Sequence, residues 1–258
     1  MNKKSIGFIG GGRIARILLG GWQRAGKLPA SVVVSDANDT ALAALKKQCA
    51  TVRTALKDNK LAASQDIVFI AVHPPVIASV LEEIKSSIAA SASVISLAPK
   101  FTIAKLSALL GGFRRIARVI PNAPSVVGAG YNPVSFAPAL SEAERSEVTA
   151  LWQPLGQCPV VAEEKLEVFA LLSARGPNYL WFQFQELERL GVSFGLTADE
   201  AAAAVRQTAR GAVATLADAG LSPEAVMDLI PFRMGEAEET IRAALRANIE
   251  TGYRSLKG

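Results

Sequence analysis

Three consecutive glycines, Gly10, Gly11 and Gly12, followed by Arg13, Ile14 and Ala15, are the part of this chain best equipped to do chemistry. They spell G-x-G-x-x-A. A short apolar run, Ser5 to Ile9, precedes them, and Ile14, Ile17, Leu18 and Trp22 follow at helical spacing. In a strand–turn–helix setting Gly10 permits a tight turn, and Gly12 leaves no side chain between backbone and ligand. Ala15 lets the helix lie close on the strand. The free N–H groups and positive dipole end of that helix then suit the two linked phosphates of a dinucleotide. An ordinary glycine-rich turn is the plain alternative. Asp36, roughly twenty residues further on, is placed to accept the hydroxyls of an adenosine ribose, which favours NAD. Alternatively Ser35 and nearby amides take a 2′-phosphate, as in NADP, with Asp36 turned aside. No arginine lies between Ala37 and Leu42 to decide for NADP, and Arg13 is the nearest cation in the sequence. Asp36 and Asp39 also compete as the cap of the helix that follows. The single histidine, His73, stands just past a strand, where it can hydrogen-bond a nicotinamide ribose or simply pack. One histidine and two separated cysteines, Cys49 and Cys158, argue against a metal site and for reduced thiols in a cytoplasmic protein.

These residues need strands and helices to hold them. Ser31–Ser35, Asp66–Val72, Ser93–Leu97 and Arg115–Ile120 read as buried strands. Helices are expected over 39–48, 76–88 and 102–110, with Pro74 and Pro75 opening the second of these. Strands alternating with helices predict an α/β fold with a doubly wound, Rossmann-type parallel sheet. In such a sheet the glycine loop, His73, Lys100 and Asn122 share the carboxyl edge, where ligands lie. A strand at 134–136, a helix from the capping box Ser141-Glu142-Ala143-Glu144 to Trp152, and a strand at 157–161 complete a domain of residues 1–162. Residues 163–258 read as helical throughout, with a second capping box at Thr197–Glu200 and a cap-then-proline start at Ser222-Pro223. A helical domain this short has little core of its own. Its stripes of Phe182, Leu187, Leu190, Ala201, Ala204, Val205 and Ala212 are therefore expected to meet a second copy in a homodimer. Packing within one chain is the alternative.

The formal net charge is +5 and the pI about 9.3. That excess suits a small anionic ligand. It is interleaved with acids along the chain, so a nucleic-acid surface is not expected. No uninterrupted apolar stretch is long enough to cross a bilayer. The apolar run after Lys3-Lys4 stops at Gly10, so it reads as a strand rather than a secretory leader.

Read together, the motifs resemble the pyrroline-5-carboxylate reductases, almost end to end. The opening G-x-G-x-M-A pattern is Gly10–Ala15, and A-V-K-P is Ala71-Val72-His73-Pro74. R-V-M-P-N-T-P is Arg118–Pro124, and E-E-K-L is Glu163–Leu166. L-S-G-S-G-P-A-Y is Leu172–Tyr179, and Q-T-x-x-G-A is Gln207–Ala212. The resemblance implies a reductase using NADPH or NADH, which gives a hydride to the carbon of a cyclic imine bearing a carboxylate. With the layout read above, the expected cofactor contacts are Gly10, Gly11, Gly12, Arg13, Ile14, Ser35, Asp36, Ala71, Val72 and His73, and the resemblance implies that Asn122 orients the nicotinamide. It also implies a dimer of interlocked helical domains, with the active site between the two domains.

The chain departs from the pattern at the substrate end. The family's hydroxyl-rich T-S-P-G-G-T-T loop is replaced by Pro231-Phe232-Arg233-Met234-Gly235-Glu236-Ala237, and the serine of G-S-G-P is Arg175. A guanidinium there can grip a carboxylate through two parallel hydrogen bonds, or pair with Glu186 or Glu236. Arg233 invites the same reading. A protonated imine is already electrophilic, so little acid–base machinery is needed. Ser173 or Tyr179 can assist protonation, or pack structurally. The rival reading is a catalytically altered, nucleotide-binding relative with a regulatory or assembly role.

Overall fold

The computed structural model describes residues 4–232 and 234–257. The strands are β1 (Ile6–Ile9), β2 (Val32–Asp36), β3 (Arg53–Leu56), β4 (Ile67–Ile70), β5 (Ser93–Ser96), β6 (Ile116–Val119), β7 (Gly130–Tyr131), β8 (Val134–Phe136) and β9 (Gly156–Gln157). Between and after them run α1 (Arg13–Arg24), α2 (Asp39–Gln48), α3 (Asn59–Ala63), α4 (Ile77–Ile84), α5 (Ile103–Leu109), α6 (Glu142–Trp152) and α7 (Leu166–Phe169). The main sheet has the order β3-β2-β1-β4-β5-β6-β8. Its strands are parallel except β8, which runs antiparallel to β6. The chain winds outward from β1 to β3, returns to β4, and winds outward the other way. The reversal lies between β1 and β4, with Ile9 beside Ile70. Loops after neighbouring strands part at such a point and leave a crevice at their carboxyl ends.

The sheet is apolar on both faces, so β1, β4 and β6 read as nearly unbroken hydrophobic runs. On one face Phe8 stacks on Phe69 with ring centroids 4.5 Å apart, and Trp22 and Trp152 meet Phe69 edge-on. On the other, Ile9, Val68 and Ile70 pack under Ile77, Leu81 and Leu106. Each such side chain contributes about 1.5–3 kcal/mol when fully buried.

β3 and α3 are absent from the sequence reading. β3 is an edge strand that buries only Ala55 and exposes Arg53 and Leu56, so it has no apolar run to mark it. The helix expected over 76–88 opens as a 3₁₀ turn at Pro74–Val76 and ends at Ile84. Lys85-Ser86-Ser87 do not sustain it.

The chain divides into two compact units, Met1–Arg175 with Tyr253–Gly258, and Gly176–Gly252. Residues 163–175 are held by the first unit, so this division falls later than a border after residue 162. The second unit is built from α8 (Gly176–Ser193), α9 (Ala198–Asp218), α10 (Pro223–Asp228) and most of α11 (Glu236–Lys257). α9 opens with the full capping box of Thr197 and Glu200. α8 lies close on α9, because a Cβ on Gly191 would stand 3.1 Å from that of Ala201. Ala201 is therefore buried within the chain rather than left for a partner. Phe182, Leu187, Leu190, Ala204 and Ala212 are exposed, and Val205 is half-buried. Among the described residues no helix is long and apolar enough to cross a membrane. Cys49 and Cys158 are unpaired.

Candidate functional site

The glycine loop is clamped between its neighbours. The Gly10 N–H donates to the Ser35 carbonyl at 2.8 Å, and the Ala71 N–H donates to the Ile9 carbonyl at 2.8 Å. Gly10 has φ +105°, and a Cβ there would lie 2.6 Å from the Ala71 oxygen. Only glycine fits that turn. Gly12 is different. Its φ is an ordinary −71°, and a Cβ would meet nothing within 4 Å.

Gly12 is also the N-cap of α1, and no side chain caps that helix. α2, α5, α6, α9 and α10 are each capped by Asn38, Thr102, Ser141, Thr197 and Ser222. The first turn of α1 holds no acid and begins with the exposed Arg13. Its N–H groups and dipole thus face open space, beside a position where a side chain would intrude. That is an anion seat. Ala15 is fully buried and Ile14 packs against the core, so the helix lies close on β1.

Asp36 closes the other side of the loop. Its Oδ2 accepts from the Gly11 N–H at 2.7 Å, and its Oδ1 accepts from the Asn38 N–H at 2.8 Å. Neither Asp36 nor Asp39 caps α2, because the Asn38 side chain does. Ser35 is fully buried, and its hydroxyl donates to Asn59 Oδ1 at 2.9 Å. It fixes the loop from behind through its carbonyl and offers no hydroxyl to a ligand. Ala71 and Val72 are half-buried on the crevice lip. His73 is exposed at the start of the 3₁₀ turn and forms no cap bond.

Asn122 is buried, with its amide committed to the protein. Its Oδ1 accepts from the Tyr131 N–H at 3.0 Å, and its Nδ2 donates to the Ser173 carbonyl at 3.3 Å. It positions the segment carrying Ser173, and its amide oxygen is already used within the protein. Ser173 sits in a π-helical turn, Ala170–Ala174, a form common at functional sites. Its hydroxyl donates to the Phe169 carbonyl at 2.8 Å, which favours the structural reading of this serine. Arg175 follows at once. It is exposed, and among the described residues no ion partner reaches it. Glu186 pairs instead with Arg189 at 3.5 Å. Tyr179, in the second unit, lies in the first turn of α8, where its carbonyl accepts from Gln183. Arg233 lies outside the described residues.

A buried ionic hub escaped the sequence reading. Arg118, only 1% exposed, reaches Glu163 at 2.9 Å and Glu167 at 2.8 Å. The same two carboxylate oxygens accept the N–H groups of Ile103 at 2.6 Å and Lys100 at 2.9 Å. Lys100 holds a left-handed φ of +72° there. With Asn122 on Ser173 and Tyr131 against Phe169, the hub pins residues 163–175 to the carboxyl edge of β5 and β6. The available signal was one arginine inside an apolar strand, Ile116-Ala117-Arg118-Val119.

The arrangement offers a dinucleotide seat and, at Arg175, an exposed cation with no ion pair among the described residues, on a segment fastened to the same sheet edge. Comparison with known proteins gives the following likenesses. Residues 5–100 match the family model "NADP oxidoreductase coenzyme F420-dependent". Residues 163–255 match "Pyrroline-5-carboxylate reductase dimerisation". The pyrroline-5-carboxylate reductase of Escherichia coli is 29% identical, over 98% of this chain and 93% of that protein. Pyrroline-5-carboxylate reductase 1 of Bacillus subtilis is 26% identical, over 97% and 84%. Among solved structures, a pyrroline-5-carboxylate reductase from Coxiella burnetii superposes with a TM-score of 0.73 at 28% identity, covering 99% of this chain and 96% of the other. The Plasmodium falciparum pyrroline carboxylate reductase with NADP bound reaches 0.86 at 22% identity, covering 100% and 98%. With the motifs at Gly10–Ala15, Arg118–Pro124 and Gln207–Ala212 in the same order, the chain is similar to the pyrroline-5-carboxylate reductases along almost its whole length, and its residues 163–255 match their dimerisation domain.

Proposed function

We propose that this protein is an NAD(P)H-dependent reductase of pyrroline-5-carboxylate or a closely related cyclic imino acid. The observation that carries the reading is the uncapped start of α1 beside Gly12, held open by Gly10 and bordered by Asp36. Gly10–Arg13 would hold the pyrophosphate, Asp36 the adenosine ribose, and Ala71–His73 the nicotinamide side. Reduced nicotinamide supplies the hydride and its two electrons. With the coenzyme bound, that hydride would go to the imine carbon, the C=N π pair would return to nitrogen as a lone pair, and a ring amine would result. Because the iminium is protonated beforehand, this chain's residues need only bind, orient and keep water away.

Arg175 is proposed to grip the substrate carboxylate, in place of the hydroxyls missing from residues 231–237. It stands next to a π-helical turn anchored by Asn122 and carries no competing ion pair among the described residues. Residues 163–258 are proposed as the dimerisation domain. The support is the family match there and the exposure of Phe182, Phe194 and Phe232 at 64%, 81% and 79%. Large apolar side chains so exposed on a small helical unit mark an interface. A cytoplasmic setting fits the two unpaired thiols. The regulatory reading gains nothing from so complete a cradle.

The test is a steady-state assay of NADH and NADPH oxidation against pyrroline-5-carboxylate and other cyclic imino acids. Turnover is expected. Arg175→Ala is expected to raise KM for the carboxylated imine roughly 10- to 100-fold while dinucleotide affinity stays unchanged. Tight dinucleotide binding with no imine reduced would favour the regulatory alternative instead.

A further inference from the structure

Resting on the dinucleotide reading, the structure carries that reading one step further, to the choice between two coenzymes that differ by one phosphate. The Asp36 carboxylate cannot turn aside. Each of its oxygens is held by a backbone N–H, Gly11 on one and Asn38 on the other. Each oxygen keeps a second lone pair, available to a ribose hydroxyl as a charge-assisted bond. The hydroxyl at the end of β2, on Ser35, is buried and committed to Asn59. Residues 37–42 supply no cation, and Asp39 adds a second exposed acid. Lys57 is the cation next to Asp36 in the sheet. Its N–H donates to the Asp36 carbonyl at 2.9 Å, but its side chain is exposed, as is that of Arg13 at the head of α1, and among the described residues no ion pair joins either cation to Asp36.

A 2′-phosphate brings a charge of about −1.5 to −2 to this corner. Against a fixed carboxylate that juxtaposition is repulsive, whereas an unmodified ribose gains hydrogen bonds. We propose that Asp36 makes this site selective for NADH over NADPH.

The experiment is calorimetric titration of the full chain with each coenzyme, for the wild type, Asp36→Ser and Asp36→Asn. The wild type is expected to bind NADH on the order of 100-fold more tightly than NADPH. Both variants are expected to bring the two affinities within about tenfold, by strengthening NADPH and weakening NADH. Asp36→Asn keeps the shape and an acceptor oxygen, so it reports on charge even if serine disturbs the loop. Equal affinities in the wild type, or a preference that neither variant changes, would overturn the assignment and leave the dinucleotide seat standing. Failure of the wild type to bind either coenzyme would overturn both.

Discussion

Gly12→Val is expected to fold and to lose affinity for both nicotinamide coenzymes by on the order of 100-fold or more. A Cβ at this position meets no atom of the protein within 4 Å, and the backbone lies in a region open to any residue. Valine is a poorer N-cap than glycine, so the folding cost is about 1 kcal/mol at most. The isopropyl group would instead fill the space the pyrophosphate needs, one bond from the N–H groups of α1. Gly10 is a less informative target. Its positive φ and the Ala71 carbonyl would strain the whole turn, and fold and binding would fail together. Thermal melting with and without coenzyme separates the two effects. A variant that melts close to the wild-type temperature, but whose melting temperature no longer rises with NADH, is the expected outcome. A variant that still gains stability from NADH would show that the phosphates lie elsewhere.

Glu167→Leu is expected to destabilise the protein by about 3–5 kcal/mol. The substitution leaves the guanidinium of Arg118, nearly inaccessible to water, with Glu163 as its one remaining carboxylate among the described residues, and it orphans the Lys100 N–H. Arg118→Met combined with Glu167→Leu is expected to recover a large part of that loss, because an uncompensated buried charge costs more than a packed apolar pair. Denaturant unfolding of the single and double variants measures both. Because the hub anchors residues 163–175, the double variant is also expected to show a raised KM for imine with dinucleotide affinity retained. A stable Glu167→Leu single variant would mean that Arg118 finds water or another partner.

The doubly wound sheet was readable because strands buried on both faces tend to be apolar throughout, as Ile67–Ile70 is. Helix starts were readable where a side chain advertises them, as at Ser141 and Thr197. The anion seat was readable for the opposite reason, a helix preceded only by glycines. β3 was not, since an edge strand need not alternate or stay apolar. The hub was not, since Arg118 finds its partners 45 and 49 residues away, and no local pattern pairs them. Ser35 and Asn122 were expected to touch the ligand because their types and positions suited it. Folding had already used the Ser35 hydroxyl and the Asn122 amide oxygen, on Asn59 and Tyr131. A sequence shows which donors and acceptors exist. It does not show which of them folding has spent.

Backbone amides at the head of α1 are expected to receive the phosphates of the coenzyme. Amide hydrogen exchange over residues 10–16, with and without NADH, reads those N–H groups directly. Marked protection of this segment on adding NADH is the predicted result. Unchanged exchange there, under conditions where NADH is bound or being oxidised, would contradict it.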